Sequence, residues 1–226
     1  MHDSKYKKLL QLAENKYRKN ALDSHGWDHI LRVLDYCKTL SAEKGIKTEI
    51  LFPACVLHDL GRTKKKEKSH AESTAIAEKL LRKAGYREDL LKQIVVCIRS
   101  HSVDSKQEPV SEEAKILFDA DKLDSYGAIG LARFFILAGE HGDSLNESAQ
   151  ESFERITKLN AVGGFHTKEA EKIGRAKAKT AFIFYYLLFK ELKENGKTKT
   201  LENILIAKYG SLKGQLILKT LGKLFN

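Results

Sequence analysis

The chain has 226 residues, 40 Lys+Arg against 30 Asp+Glu for a formal charge of +10, and 42% apolar side chains. That length suits one substantial core, and no run reaches the roughly 18 apolar residues that span a bilayer, so no membrane role is expected. The cysteines Cys37, Cys55 and Cys97 are odd in number and sit in apolar helical contexts, which reads as reduced core thiols and excludes a disulfide framework.

The start, Met1-His2-Asp3-Ser4-Lys5, lacks the apolar core of a signal peptide, so the cytoplasm is the expected compartment. Residues 5–20 then read as a first helix, with Leu9, Leu10, Ala13 and Tyr17 on one side. Asp23 or Ser24 is the expected N-cap of a second, which runs through Ile30, Leu31, Val33, Leu34 and Leu40 and stops at Gly45. Residues 48–60 are apolar nearly all round (Ile50, Leu51, Ala54, Cys55, Val56, Leu57), the pattern of a helix at the centre of a core. A lysine-rich loop, Lys64–Lys68, follows. Helices are expected over 69–84 and 87–101, broken at Gly85.

Ser111-Glu112-Glu113 sets acidic groups at the positive end of a helix dipole. That helix carries Ile116, Leu117, Ala120, Leu123 and Ala128 and is expected to continue toward Leu131 and Phe135. A turn-rich stretch over 139–148, a helix over 148–160, a hinge at Gly163-Gly164 and a long helix over 167–194 come next. Two short helical runs, 200–209 and 212–225, close the chain. No stretch alternates as a strand. The fold class is therefore all-α: a helical bundle over residues 1–195, with a basic helical C-terminal extension, 196–226, packed on or beside it. From Ala161 onward there are 13 Lys+Arg against 5 Asp+Glu. A basic tail suits an anionic partner such as nucleic acid, but solvated helix faces are the preferred reading, because no aromatic-basic module accompanies it. Apolar residues in the tail (Leu201, Ile204, Leu205, Leu216, Ile217, Leu221, Leu224) cap the core or pair with a second copy of the chain.

Four polar side chains interrupt this apolar pattern: His29, the doublet His58-Asp59, and Asp121. Burying them unpaired costs kilocalories each, and one divalent ion held by two imidazoles and two carboxylates would satisfy all of them. Neighbours on a helix point about 100° apart, so His58 and Asp59 can flank one ion; on a strand they would face opposite ways. A mixed imidazole and carboxylate set suits Mn, Fe, Co, Ni or Mg, and zinc less. Neither Cys-x-x-Cys nor His-Glu-x-x-His is present to argue for zinc. Such an ion, with positions left open, is a hydrolytic device for phosphate esters and anhydrides.

Residues His25-Gly26-Trp27-Asp28-His29-Ile30-Leu31-Arg32-Val33, Leu57-His58-Asp59-Leu60-Gly61-Arg62, His101-Ser102 and Asp119-Ala120-Asp121-Lys122-Leu123-Asp124, in this order over about 20–190, closely resemble the HD-domain metal-dependent phosphohydrolases. The resemblance implies that His29, His58, Asp59 and Asp121 bind the metal, with manganese the first choice. Within that superfamily the chain looks most like the small stand-alone hydrolases in which Gly-Ala-Ile-Gly, here Gly127–Gly130, follows the Asp-Ala-Asp-Lys-Leu-Asp helix. Some of those relatives cut nucleoside triphosphates to monophosphate and pyrophosphate. Absence of a Gly-Tyr-Pro motif and of a His pair at His101 separates the chain from the two-metal cyclic-dinucleotide phosphodiesterases.

Around the four ligands, His101 and His70 are candidates to contact phosphate or to protonate a leaving oxygen. Arg62 offers a bidentate fork to phosphate oxygens, and Lys122 an ammonium to a triphosphate. Asp124 would orient a water or that lysine. His25 and Asp28 read as support for the first ligand or for its helix start, Lys65 as a solvated loop residue, and Trp27 as core. Thus Asp59, Arg62, His101, Lys122 and Asp124 are the expected catalytic residues, and Arg62, His70, His101 and Lys122 the substrate contacts. The expected reaction is hydrolysis of a (deoxy)nucleoside triphosphate to monophosphate and pyrophosphate. A 5′-nucleotidase, a phosphodiesterase and a degenerate module that only binds a nucleotide or RNA are the rival readings.

Overall fold

The apolar stripes close on one another much as their spacing predicts. The computed structural model describes residues 4–20, 23–42, 45–63, 66–67, 70–102, 105, 107–161, 164–193, 196–197, 202–203 and 206. Helix α1 covers Ser4–Asn20, α2 Trp27–Ser41 and α3 Thr48–Leu57. A two-residue antiparallel pair follows, β1 (Arg62–Thr63) with β2 (Lys66–Glu67). Then come α4 (His70–Ala84), α5 (Glu88–Arg99), α6 (Glu112–Asp124), α7 (Gly127–His141), α8 (Leu145–Ala161) and α9 (Lys168–Glu191). The fold is all-α. Among the described residues no helix is long and apolar enough to cross a membrane.

Helix α3 is the hub. Ile50, Leu51, Ala54, Cys55, Val56 and Leu57 are all buried, and the large ones among them contribute roughly 1.5–3 kcal/mol each by leaving water. It packs against α5, α2 and α6, while α2 packs most closely against α6. The three cysteines are buried free thiols, as expected. This packing fixes the site: His29 lies in the first turn of α2, His58 just past the end of α3, and Asp121 in the last turn of α6.

The structure corrects the sequence reading in three places. Asp23 and Ser24 do not cap α2: residues Asp23–His25 wind into a short 3-10 turn, Gly26 precedes the helix, and the Ser24 hydroxyl is spent on Glu140. The expected lysine-rich loop contains strand β2, which pairs with β1 just before it in a register that sets Arg62 opposite Glu67. And the helix expected to run on toward Phe135 breaks at Ser125-Tyr126. Gly127 takes a left-handed φ of +72°, and a Cβ on Gly130 would lie 2.2 Å from the Ser125 carbonyl carbon and oxygen. These two glycines let α7 leave α6 at a sharp corner.

The chain divides into two compact units, Met1–Gly174 and Arg175–Asn226. In the second, Phe182, Tyr185 and Phe189 are buried and the Tyr185 and Phe189 rings stack at 5.9 Å. The expected runs 200–209 and 212–225 fall almost wholly outside the described residues.

Candidate metal centre

Backbone and carboxylate partners decide which way each histidine of the cluster faces. Asp124 accepts from His29 Nδ1–H at 2.8 Å, and the Cys55 carbonyl accepts from His58 Nδ1–H at 2.7 Å. Both imidazoles therefore turn Nε2 lone pairs inward, and the two Nε2 atoms stand 3.3 Å apart. Two carboxylate oxygens join them. Asp59 Oδ2 is 3.4 Å from His29 Nε2 and 3.5 Å from His58 Nε2; Asp121 Oδ1 is 3.4 Å and 3.7 Å from the same atoms. Four acceptor atoms facing one another repel unless a cation sits between them. Donors about 2.1 Å from one ion, at tetrahedral to octahedral angles, stand roughly 3.0–3.4 Å apart, so the observed spacing fits a divalent ion with little adjustment.

The titration behaviour of the cluster points the same way. For His58, burial favours the neutral ring, but the Asp59 and Asp121 carboxylates outweigh it and push the pKa up to about 9. For Asp121, burial favours the neutral acid, yet His58 and His29 hold the carboxyl well below its usual range. The pocket is built to hold positive charge, as protons or as a metal ion. His29, His58 and Asp59 are nearly inaccessible, whereas Asp121 keeps 24% of its side chain exposed. Any open coordination position thus faces solvent on the Asp121 side.

The remaining candidates are distributed around this cluster unevenly. His101 is buried; its Nδ1–H donates to the Ile98 carbonyl and its Nε2 stands 3.7 Å from Asp59 Oδ1. It lies directly beside the Asp59 carboxylate. Asp124, expected to orient a water, is instead fully buried. It accepts from His29 and from Arg32 Nε and Nη2 at 2.8 and 3.1 Å, and it forms an ion pair with Arg133, whose Nη1 stands 3.0 Å from Oδ2. Burial would raise its pKa; His29, Arg32 and Arg133 hold it well below the carboxylate range. Lys122, expected to meet phosphate, is 6% exposed, with its ammonium over the rings of Phe118 (5.5 Å) and Phe165 (5.1 Å); burial lowers its pKa, and the Asp119 carboxylate offsets that only in part. A buried ammonium needs such faces. Arg62 lies in β1 and His70 opens α4, but their side chains, and all of Lys65, lie outside the described residues. His25 bonds Ser24 Oγ through Nδ1 at 2.9 Å and sets its ring 5.8 Å from that of His29. Trp27 is a core residue against Tyr17, their rings 5.9 Å apart.

Sequence reasoning missed Tyr17, Arg32, Asp119 and Arg133. The Tyr17 hydroxyl accepts from the Asp59 backbone N–H at 3.3 Å, steadying the doublet. Asp119 accepts from the N–H groups of His166 and Thr167 and from the Thr167 hydroxyl, each at 2.8 Å, and so ties that segment to α6 two residues before Asp121. Arg32 had a signal, lying one turn after His29. Arg133 had a weaker one, a lone cation within the apolar run Leu131–Leu137.

The HD domain family profile matches residues 26–126, a span that contains all four cluster residues. Bacillus subtilis YpgQ, an uncharacterized protein, is 29% identical over 132 residues, covering 57% of this chain; the match spans 64% of YpgQ's own length. A crystal structure of YpgQ in complex with ADP superposes with a TM-score of 0.63 at 21% identity, over 82% of this chain and 96% of that one. A Lactobacillus plantarum protein superposes with a TM-score of 0.71 at 20% identity, over 86% and 99% of the two chains. A protein of Bacillus thuringiensis described as an HD-superfamily hydrolase gives a TM-score of 0.62 at 25% identity, over 83% and 96%.

Proposed function

This chain belongs to the HD superfamily through residues 26–126, and from that premise we propose that it is a metal-dependent phosphohydrolase acting on a nucleotide. The observation that carries the proposal is the convergence of His29 Nε2, His58 Nε2, Asp59 Oδ2 and Asp121 Oδ1, with both imidazole Nδ1 atoms already committed to Asp124 and the Cys55 carbonyl. A divalent ion held there, manganese by preference, supplies a Lewis acid that polarises a phosphoryl oxygen and lowers the pKa of water. The protein's part is orientation. Asp124 and the Cys55 carbonyl keep both imidazoles in the tautomer with Nε2 inward. Tyr17 holds the backbone of Asp59. The exposed side of Asp121 admits the phosphate, and Arg62 and His70 are proposed to meet it there. His101, against Asp59, fixes that carboxylate and is the group placed to pass a proton near it. Lys122, enclosed by aromatic rings, is given a packing role.

A nucleotide is favoured because YpgQ, similar in fold, was crystallised with ADP. A triphosphate cut to monophosphate and pyrophosphate is the specific reading, supported by the Asp119–Asp124 and Gly127–Gly130 sequences. The test is a screen of the purified protein with Mn, Co, Ni and Mg against dNTPs, NTPs and nucleoside monophosphates, with pyrophosphate and phosphate assayed separately. Metal-dependent pyrophosphate release that vanishes in Asp59→Ala is the expected result. Phosphate from monophosphates would replace this reading with a nucleotidase. Activity confined to bis(p-nitrophenyl) phosphate would replace it with a phosphodiesterase.

A further inference from the structure

Asp124 serves His29 from behind, and what holds Asp124 reaches well outside the HD segment. Arg32 grips both of its oxygens from α2, one turn beyond His29, and so belongs to the same helix as the residue being positioned. Arg133 comes from elsewhere. It rises from α7 at 12% exposure, and its guanidinium spans two targets. Nη1 lies 3.0 Å from Asp124 Oδ2, the same oxygen that accepts from His29. Nε donates to the Ser24 carbonyl at 2.7 Å.

Ser24 stands in the 3-10 turn that leads into α2. Its hydroxyl donates to Glu140 Oε2 at 2.9 Å. A hydroxyl has one proton, so the 2.9 Å bond to His25 Nδ1 must run from the imidazole to Ser24 Oγ. Glu140 follows Arg133 by about two turns of α7 and shares its face. Helix α7 therefore grips the turn ahead of His29 twice, at the carbonyl and at the hydroxyl of one residue. Only the arginine grip also touches the carboxylate behind His29. Ser24 and Arg133 both lie outside the matched span, residues 26–126.

We propose that Arg133 is a positioning residue of the metal centre, one that locks the start of α2 and the Asp124 carboxylate to α7 in a single fork and thereby sets the orientation of His29. The proposal rests on the metal reading of the four-residue cluster. It requires arginine. A planar guanidinium donates in two directions separated by a fixed angle, whereas an ammonium is a point charge that would satisfy Asp124 and leave the Ser24 carbonyl unheld. Loss of the fork lets the imidazole of His29 swing about a carboxylate held only from α2, and second-sphere losses of this kind weaken metal binding by about 10- to 100-fold.

The experiment compares wild type, Arg133→Lys and Arg133→Ala by calorimetric titration with Mn(II), by the visible spectrum of bound Co(II), and by thermal unfolding of the metal-free proteins. The expected result is a Lys variant that unfolds close to the wild-type temperature yet binds Mn(II) at least tenfold more weakly and alters the Co(II) ligand-field bands, with Ala weaker still. Wild-type affinity and spectrum in both variants would overturn the proposal. So would a fall in unfolding temperature with an unchanged Co(II) spectrum, which marks a residue that serves the fold alone. Should the Ala variant fail to fold, the Lys variant decides in either direction. Failure of wild type to bind either ion would overturn the metal reading itself, and is seen before any variant is compared.

Discussion

Asp124 concentrates the electrostatics of the site in one side chain: a fully buried carboxylate facing two guanidinium groups and an imidazole N–H. Asp124→Asn removes the counter-charge of both arginines and the directional acceptor of His29. It should weaken divalent metal binding about 10- to 100-fold and lower stability by roughly 3–5 kcal/mol. Calorimetric titration and urea unfolding check the two effects separately. His58 carries a pH signature. Its pKa in the metal-free fold is about 9, against the ordinary 6.5. A raised folded pKa means that its contribution to stability is complete below about 6.5 and is lost as pH rises through about 9. Melting temperatures of the metal-free protein should fall between pH 6.5 and 9. Manganese, which needs the neutral imidazole, should stabilise more at pH 9 than at 6.5. A flat metal-free profile would contradict the packing of Asp59 and Asp121 around His58.

At the scale of elements, the corner between α6 and α7 decides where Arg133 projects. Gly130→Ala forces a Cβ to within 2.2 Å of the Ser125 carbonyl group, so backbone must move. The substitution should cost about 1–3 kcal/mol, read by chemical denaturation, and should weaken metal binding as well, because α7 carries the fork. This corner also shows where the sequence stopped being legible. Apolar periodicity carries through Leu123 and Ala128, and that continuity suggested one unbroken helix; the deciding signals were the glycines at 127 and 130, whose role depends on how closely α7 approaches α6. The doublet at 58-59 was legible for the opposite reason. It closes a helix that is apolar all round, so two consecutive polar residues there demanded a partner. Arg133 and Asp124 pair across two helices. Neither spacing nor period links them, and Asp124 was accordingly expected to orient a water or Lys122, with no sign of its contact with His29. Lys122 was expected to offer its ammonium to a phosphate, but it lies against aromatic faces that come in part from Phe165, beyond α8.

For the molecule as a whole, a metal ion held by the cluster would tie α2, the segment just after α3, and α6 together, so that metal binding and folding would be linked. Chelation with EDTA should lower the melting temperature, and manganese at a hundred times its dissociation constant should restore about 2.7 kcal/mol. Addition of metal to His58→Ala should restore almost nothing. The second unit, from Arg175, contributes none of the four cluster residues, and its basic character therefore enters no step proposed here. One geometric fact, the convergence of four donor atoms, underlies the metal site. Crystals grown with manganese and measured at a wavelength giving anomalous signal test it directly. The prediction is one strong anomalous peak about 2.0–2.3 Å from His29 Nε2, His58 Nε2, Asp59 Oδ2 and Asp121 Oδ1. A peak held by other residues, or none in protein that is otherwise folded, would contradict it.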